Sequence, residues 1–233
     1  MHLIEAVLAA RVPVTTLVTR GGARARRTAE VSELVGRVLA AGRAAGGFRH
    51  VELPAALYDA LSPVEHGAGV LAEIDTAMAQ RPWPAQLLED AVYLDGVQDP
   101  GNVGTLLRTA AAAGVRHVVV GDGSAGAWSP KVMRAAMGAH FAIAIHDGVG
   151  LADVLRVFHG TVCAADVDGE EIYAASWGRG PTLCRHQQQR GGAAACQGLD
   201  QVLGIGRRRS DDGHGARRDD DQVAGLEDVQ RRH

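Results

Sequence analysis

Much of the chemistry that can be read from this 233-residue chain lies in one stretch, LDGVQDPGNVGTLLRTAAAAGV, residues 94–115. An apolar run enters a turn, Asp99-Pro100-Gly101. Asn102 follows, placed to cap a helix. Gly104, with no Cβ, lets a neighbouring backbone come close. Arg108 stands six residues after Asn102, about 120° away around a helix axis and about 9 Å along it. If the apolar run is a buried parallel strand, both residues belong at the C-terminal edge of the sheet, where open α/β folds take ligands. An arginine there offers a planar fork to a phosphate or carboxylate. GNVG is not a P-loop, since no GK[ST] follows, and it is not the GxGxxG dinucleotide fingerprint. The loop GDGSAG at 121–126 also lacks that spacing, which argues against a nucleotide-dependent oxidoreductase. Taken alone, a capped helix bearing a surface arginine is also an ordinary structural feature.

Other candidates carry less. Lys131 and Arg134 share a helix face at i, i+3 and either meet a polyanion or solvate the surface. Arg24, Arg26 and Arg27 crowd one loop, GGARARRT, and are the phosphate-contacting candidates of the N-terminal part. Asp166, Asp168, Glu170 and Glu171 read as a solvated turn. His117 reads as a strand-end residue, His140 as a packed one, and Cys163 as a small apolar side chain in a strand. Cys184, His186 and Cys196 match no finger spacing, so no metal site is expected.

These residues need a scaffold, and the pattern supplies one in two series. The first alternates helix 3–10, strand 14–18, helix 28–41, strand 49–53, helix 54–61 and strand 69–74. It opens directly on a helix, as though an initial strand were missing. Residues 77–90, with two prolines, read as a linker. The second series runs strand 91–95, helix 102–113, strand 116–120, helix 130–138, strand 140–145, helix 150–158 and strand 161–166. Strand–helix alternation with runs such as VVV implies a parallel sheet covered on both faces. The pattern stops near Pro181. Residues 182–233 form a charge-rich, glycine-containing tail expected to be largely disordered, although GLDQVLGIG at 198–206 keeps enough apolar residues for one strand.

Composition narrows the partners. No run approaches 18 apolar residues, so no membrane span is expected. The N-terminus lacks a signal-peptide pattern, and three cysteines make no disulfide framework, which favours a reducing, cytoplasmic location. Net charge is −3 but uneven. Residues 1–49 carry eight arginines against three glutamates, a balance of +5. Residues 50–181 balance at −9 and residues 182–233 at +1. A basic N-terminal part on an acidic body points to a polyanion.

Taken whole, residues 94–115 resemble the first motif of the SpoU/TrmH-type RNA ribose methyltransferases of the SPOUT superfamily. SPKVMRAAMGAHF (129–141) and GTVCAADVDGEEIY (160–173) resemble that family's following segments. LSPVEHGAGVLAEI (61–74) resembles the end of its ribosomal-protein-like RNA-binding domain. The resemblance covers residues 1–181. It implies an α/β fold: a small N-terminal RNA-binding domain (1–76, truncated at its start), the linker (77–90), and a parallel-sheet SPOUT domain of trefoil-knot type (91–181). It further implies a homodimer using S-adenosylmethionine to methylate a ribose 2′-oxygen of tRNA or rRNA, with neither DNA nor membrane as partner. Asn102 and Arg108 take the catalytic positions of the first motif. Arg108 keeps its proton at working pH, so positioning and charge stabilisation suit it better than proton abstraction. Ala165, Asp166 and Gly169 fall where the family borders its cofactor.

After Gly178-Arg179-Gly180-Pro181-Thr182 the chain departs from the family. A GNEGxG-like loop and an SLNVA-like segment are expected there, and neither occurs. The family glutamate and the Ser and Asn of the third motif have no counterparts. So sharp a loss reads as a shifted reading frame. The expectation is an incomplete knot, impaired cofactor binding, and either a damaged enzyme or an inactive RNA-binding remnant.

Overall fold

The computed structural model describes residues 2–22, 28–64, 67–171, 180–187 and 202–206, with backbone alone for 165–171, 186–187 and 202–206. Among the described residues no helix is long and apolar enough to cross a membrane.

The first unit is a three-stranded sheet. Strand β1 (Val14–Arg20) lies between β2 (Arg49–Leu53), parallel to it, and β3 (Val70–Ile74), antiparallel. Helix α1 (His2–Ala9) and helix α2 (Ala29–Ala45) cover it. Val31, Leu34, Val35 and Val38 are the buried stripe of α2, and Val31, Val35 and Val38 meet Val7, Val14 and Leu17, the outcome of apolar residues recurring every three to four positions. Thr28 caps α2, its side chain accepting from the Val31 amide. The short helix α3 (Ala55–Leu61) buries Tyr58.

The second unit is a six-stranded parallel sheet. Its strands are β4 (Ala91–Asp95), β5 (His117–Val120), β6 (Ala144–Asp147), β7 (Thr161–Glu171), β8 (Thr182–Gln187) and β9 (Val202–Gly206). The order is β6-β5-β4-β8-β7-β9. Helices α4 (Pro100–Ala112) and α5 (Pro130–Ala136) cover one face, packing Val103, Leu107 and Val132 onto Leu94, Val118 and Val120. Helix α6 (Leu151–Val157) helps cover the other face, where Val154 and Phe158 meet Tyr93, Val119 and Leu183.

Three sequence expectations change. The tail was expected to begin at 182, yet Thr182–Gln187 pairs with β4 on one side and β7 on the other. Its apolar pattern is interrupted by Arg185, which is buried but has a carboxylate partner, so the segment does not look like a central strand. Residues 188–201 and 207–233 lie outside the described residues. The strand expected at 140–145 runs instead over Ala144–Asp147. Met137 and Gly138 both take left-handed backbone and turn the chain into a 3-10 segment, Ala139–Phe141.

The linker is also not a free tether. Leu87 is fully buried in the second core, its amide donates to the Val157 carbonyl, and Trp83 packs beside it. Trp83 meets the His146 ring edge-on at 4.9 Å. His146 Nε2 lies 3.2 Å from His117 Nδ1, and His117 Nε2 lies 3.1 Å from a Glu89 carboxylate oxygen.

Two glycines give a paired test of packing. A Cβ at Gly104 would sit 2.4 Å from the Ala135 Cβ and 2.9 Å from the Val132 carbonyl oxygen. Gly104 therefore sets the approach of α4 to α5. A Cβ at Gly36, inside α2, would meet nothing within 4 Å. Gly104→Val should destabilise by about 1–3 kcal/mol through overpacking. Gly36→Ala should stabilise by about 0.5–1 kcal/mol. Urea unfolding of both variants checks the contrast.

His146 supplies a pH test. Its pKa is depressed to about 4, first by burial and then by His117 and Arg81 nearby. Above the ordinary value of 6.5 both folded and unfolded chains hold it neutral. As pH falls from there toward 4, only the unfolded chain takes the proton, so stability is lost across that window, by roughly 3 kcal/mol in full. Buried His140 is shifted the same way. His146→Gln should make the loss shallower without abolishing it, read as urea midpoints between pH 7 and pH 4.5.

Candidate functional site

All strands of the second sheet point the same way, so their C-terminal ends share one edge. The chain leaves β4 at Asp95 through Gly96, whose φ of 64° is left-handed. Asp99 then starts α4. Its Oδ1 accepts from the Asn102 amide at 2.8 Å, and Pro100 takes the first helical turn. The cap is thus Asp99, not Asn102 as the sequence suggested. Asp99 and Asn102 both belong to the favoured capping types, and proline's preference for the first turn decides between them.

The glycine-rich loop after β5 is stitched onto this turn. Ser124 Oγ donates to the Leu94 carbonyl at 3.2 Å and accepts from the Val97 amide at 3.0 Å. The Ala125 amide donates to the Val97 carbonyl at 2.8 Å. Asp147, at the end of β6, accepts from the Ala127 amide at 3.0 Å. These bonds fix three strand ends against one another, a rigid rim beside the point where strand order reverses between β4 and β8.

Asn102 and Arg108 are both exposed, while the next residues in α4, Val103, Gly104, Leu107 and Ala110, are buried. Asn102 stands at the rim. Arg108 is the ninth of thirteen helical residues, about 9 Å further along the axis. The two do not share the edge itself, as the sequence implied; they mark a track running down the outside of α4. Lys131 is exposed and Arg134 half-buried on α5, whose start is capped by Ser129. Ala165, Asp166 and Gly169 lie in the C-terminal half of β7, where the β7–β9 register breaks between Ala165 and Glu170. Arg24, Arg26 and Arg27 lie outside the described residues.

Sequence reasoning missed the polar group at the centre of the edge. Arg185, on β8, is 6% exposed. Its Nε donates to Asp95 Oδ2 at 2.8 Å, and its Nη2 donates to the same oxygen. Tyr93 lies in register with Arg185 on the next strand. Burial raises its hydroxyl pKa, with Asp95 and Asp122 adding to the rise. Gly121 is the residue that makes room for it, since a Cβ there would fall 2.1 Å from the Tyr93 oxygen. The available signal was Asp95 itself, a carboxylate closing an otherwise apolar buried strand. Such a group needs a partner, and the sequence does not say which of 24 basic side chains provides it.

Residues 90–184 match the SpoU rRNA methylase family. The chain is 56% identical over 54 residues to the 23S rRNA (guanosine(2553)-2'-O)-methyltransferase RlmP of Bacillus subtilis, covering 23% of this chain and 22% of that one. It is 39% identical over 89 residues to the mitochondrial rRNA methyltransferase 3A of Danio rerio, covering 37% and 20%. The chain thus spans about a fifth of the length of those relatives. The fold extends further. An AdoMet-bound rRNA methyltransferase from Sinorhizobium meliloti superposes with a TM-score of 0.67 at 22% identity, covering 92% of this chain and 79% of that one. The SpoU methyltransferase AviRb from Streptomyces viridochromogenes, in complex with AdoMet, gives 0.63 at 19%, covering 92% and 81%. The architecture is therefore the SPOUT α/β fold with a parallel-sheet core expected from the sequence.

The buried pair at the SpoU rim predicts a non-additive result. Arg185→Met alone leaves the Asp95 carboxylate without its cation and should cost about 3 kcal/mol. Adding Asp95→Leu removes the stranded charge and should recover most of that loss. A double-mutant cycle by urea unfolding reads the coupling, and additive losses would remove the pair from the account of the fold.

Proposed function

We propose that this chain is an RNA 2′-O-ribose methyltransferase acting on rRNA or tRNA as a homodimer. The carrying observation is the SpoU match over 90–184 on a structure whose α4 presents Asn102 and Arg108 to solvent beside the strand-order reversal.

S-adenosylmethionine fits this edge in kind. Glycine turns at Gly96 and Gly123 pack against each other, a Cβ at Gly123 falling 3.8 Å from the Gly96 Cα. They leave backbone rather than side chains at the rim. The register break beyond Ala165 takes Asp166–Gly169 out of the β7–β9 ladder, leaving their backbone groups to serve a ligand. Ala165, Asp166 and Gly169 would hold it, and when bound it supplies the methyl group.

The rest is positioning by the chain's own residues. The Arg108 guanidinium forks onto an RNA phosphate and holds the target ribose along α4. It stabilises negative charge developing on the 2′-oxygen and does not take the proton. Asn102, held at the rim by the Asp99 cap, offers an amide to the ribose. Lys131 on α5 extends the phosphate track, with Arg134 beside it, and Arg24, Arg26 and Arg27 serve the N-terminal unit. A second reading, RNA binding without transfer, is favoured by one sequence observation: nothing after Pro181 supplies the family's glutamate loop.

A tritium-transfer assay on rRNA and tRNA, with titration of S-adenosylmethionine and salt-dependent RNA binding alongside, separates the two. The enzyme reading expects transfer that Arg108→Ala lowers roughly 100-fold, with an unchanged melting temperature because Arg108 is exposed. Salt-sensitive RNA binding with no transfer and no cofactor uptake would establish the remnant instead.

A further inference from the structure

Cys163 on β7 and Cys184 on β8 are register partners on adjacent parallel strands. Directly paired residues of a sheet point to the same face. Neighbouring strands lie about 4.8 Å apart, inside the roughly 4.4–6.8 Å between Cα atoms that a disulfide spans. Both thiols are free and lie close enough to couple electrostatically. Their exposures differ: Cys163 is 1% exposed, while Cys184 is only half-buried. Cys163 Sγ also donates to the Leu183 carbonyl at 3.5 Å, which holds it against β8.

We propose that Cys163 and Cys184 form a thiol–disulfide exchange site that reacts with low-molecular-weight disulfides, Cys184 attacking first and Cys163 resolving. In the first step the Cys184 thiolate attacks one sulfur of the small disulfide. A protein–small-molecule disulfide forms, the original S–S bond breaks, and one small thiolate leaves. In the second step Cys163 attacks Cys184 Sγ and passes its proton to the departing sulfur, so the second small thiol leaves. The protein dithiol is oxidised by two electrons and the small disulfide is reduced to two thiols.

The electrostatics match this division of labour. Interaction with the Cys163 thiol draws the Cys184 pKa down, which favours the thiolate at the more exposed of the two sulfurs. The same interaction with Cys184, together with burial, pushes the Cys163 thiol upward. The Cys184 charge vanishes once Cys184 Sγ is covalently capped, which favours the resolving step. The bond formed would tie β8 to β7, a strand pair of the methyltransferase sheet.

The test uses the full chain carrying Cys196→Ser, which removes the one other thiol, equilibrated with reduced and oxidised glutathione and quenched in acid. Intact mass should fall by two hydrogens, with a Cys163–Cys184 linked peptide at least tenfold above the reduced control. Cys163→Ser in that background should trap glutathione on Cys184. Cys184→Ser should leave Cys163 unmodified when folded and reactive in urea, which separates protection by the fold from misfolding. Modification of Cys163 ahead of Cys184, capping of Cys184 without a cross-link in the Cys196→Ser chain, or no reaction would overturn the proposal.

Discussion

The second sheet depends on what occupies the slot between β4 and β7. Strand β8 fills it, paired in parallel on both sides. Without it, β4, β5 and β6 would form one sheet and β7 and β9 another, each with a raw edge of unpaired amides and carbonyls. Yet this central strand carries Arg185, whose burial is unfavourable unless its charge is met. Asp95 meets it from the neighbouring strand. One ion pair therefore makes an unpromising sequence compatible with the middle of a sheet. It also places a charge pair at the strand-order reversal, where this class of fold receives ligands.

The same pair explains what could be read in advance. Helix α2 and helix α4 were legible because apolar residues recur at helical spacing and the buried stripe follows them. Strands β4 and β5 were legible as short apolar runs. Strand β8 was not, because its compatibility with burial depends on Asp95, 90 residues away, and no local pattern encodes that. The shift of β6 to Ala144–Asp147 has a similar origin. His140 and Phe141 look like strand residues, but the left-handed backbone at Met137 and Gly138 diverts them into a turn. There His140 packs against Trp128 and bonds the Ala127 carbonyl at 2.7 Å. At the site, Asn102 and Arg108 were correctly expected on one helix. Their placement needed the true helix start, two residues earlier than Asn102, which Asp99 and Pro100 fix together.

The two units are also coupled more closely than two α/β series joined by a linker would suggest. Phe141, from the second series, packs against the N-terminal core. A Cβ at Gly138 would fall 2.5 Å from Ala6 Cβ in α1, so this turn and that helix are in direct apposition. From the other side, Leu87 and Trp83 bind the linker to the second core. The turn at Gly138 follows directly on α5, which α4 grips through Gly104. A continuous packed path thus runs from α1 through the Gly138 turn and α5 to α4, the helix bearing Asn102 and Arg108. Packed interiors transmit displacement because they hold few voids to absorb it. On the proposed function, polyanion held by the N-terminal unit would be delivered at a fixed offset from Arg108. Positioning catalysis of the kind proposed for Arg108 would require that constraint, since reacting groups gain most when their approach is set before the substrate arrives.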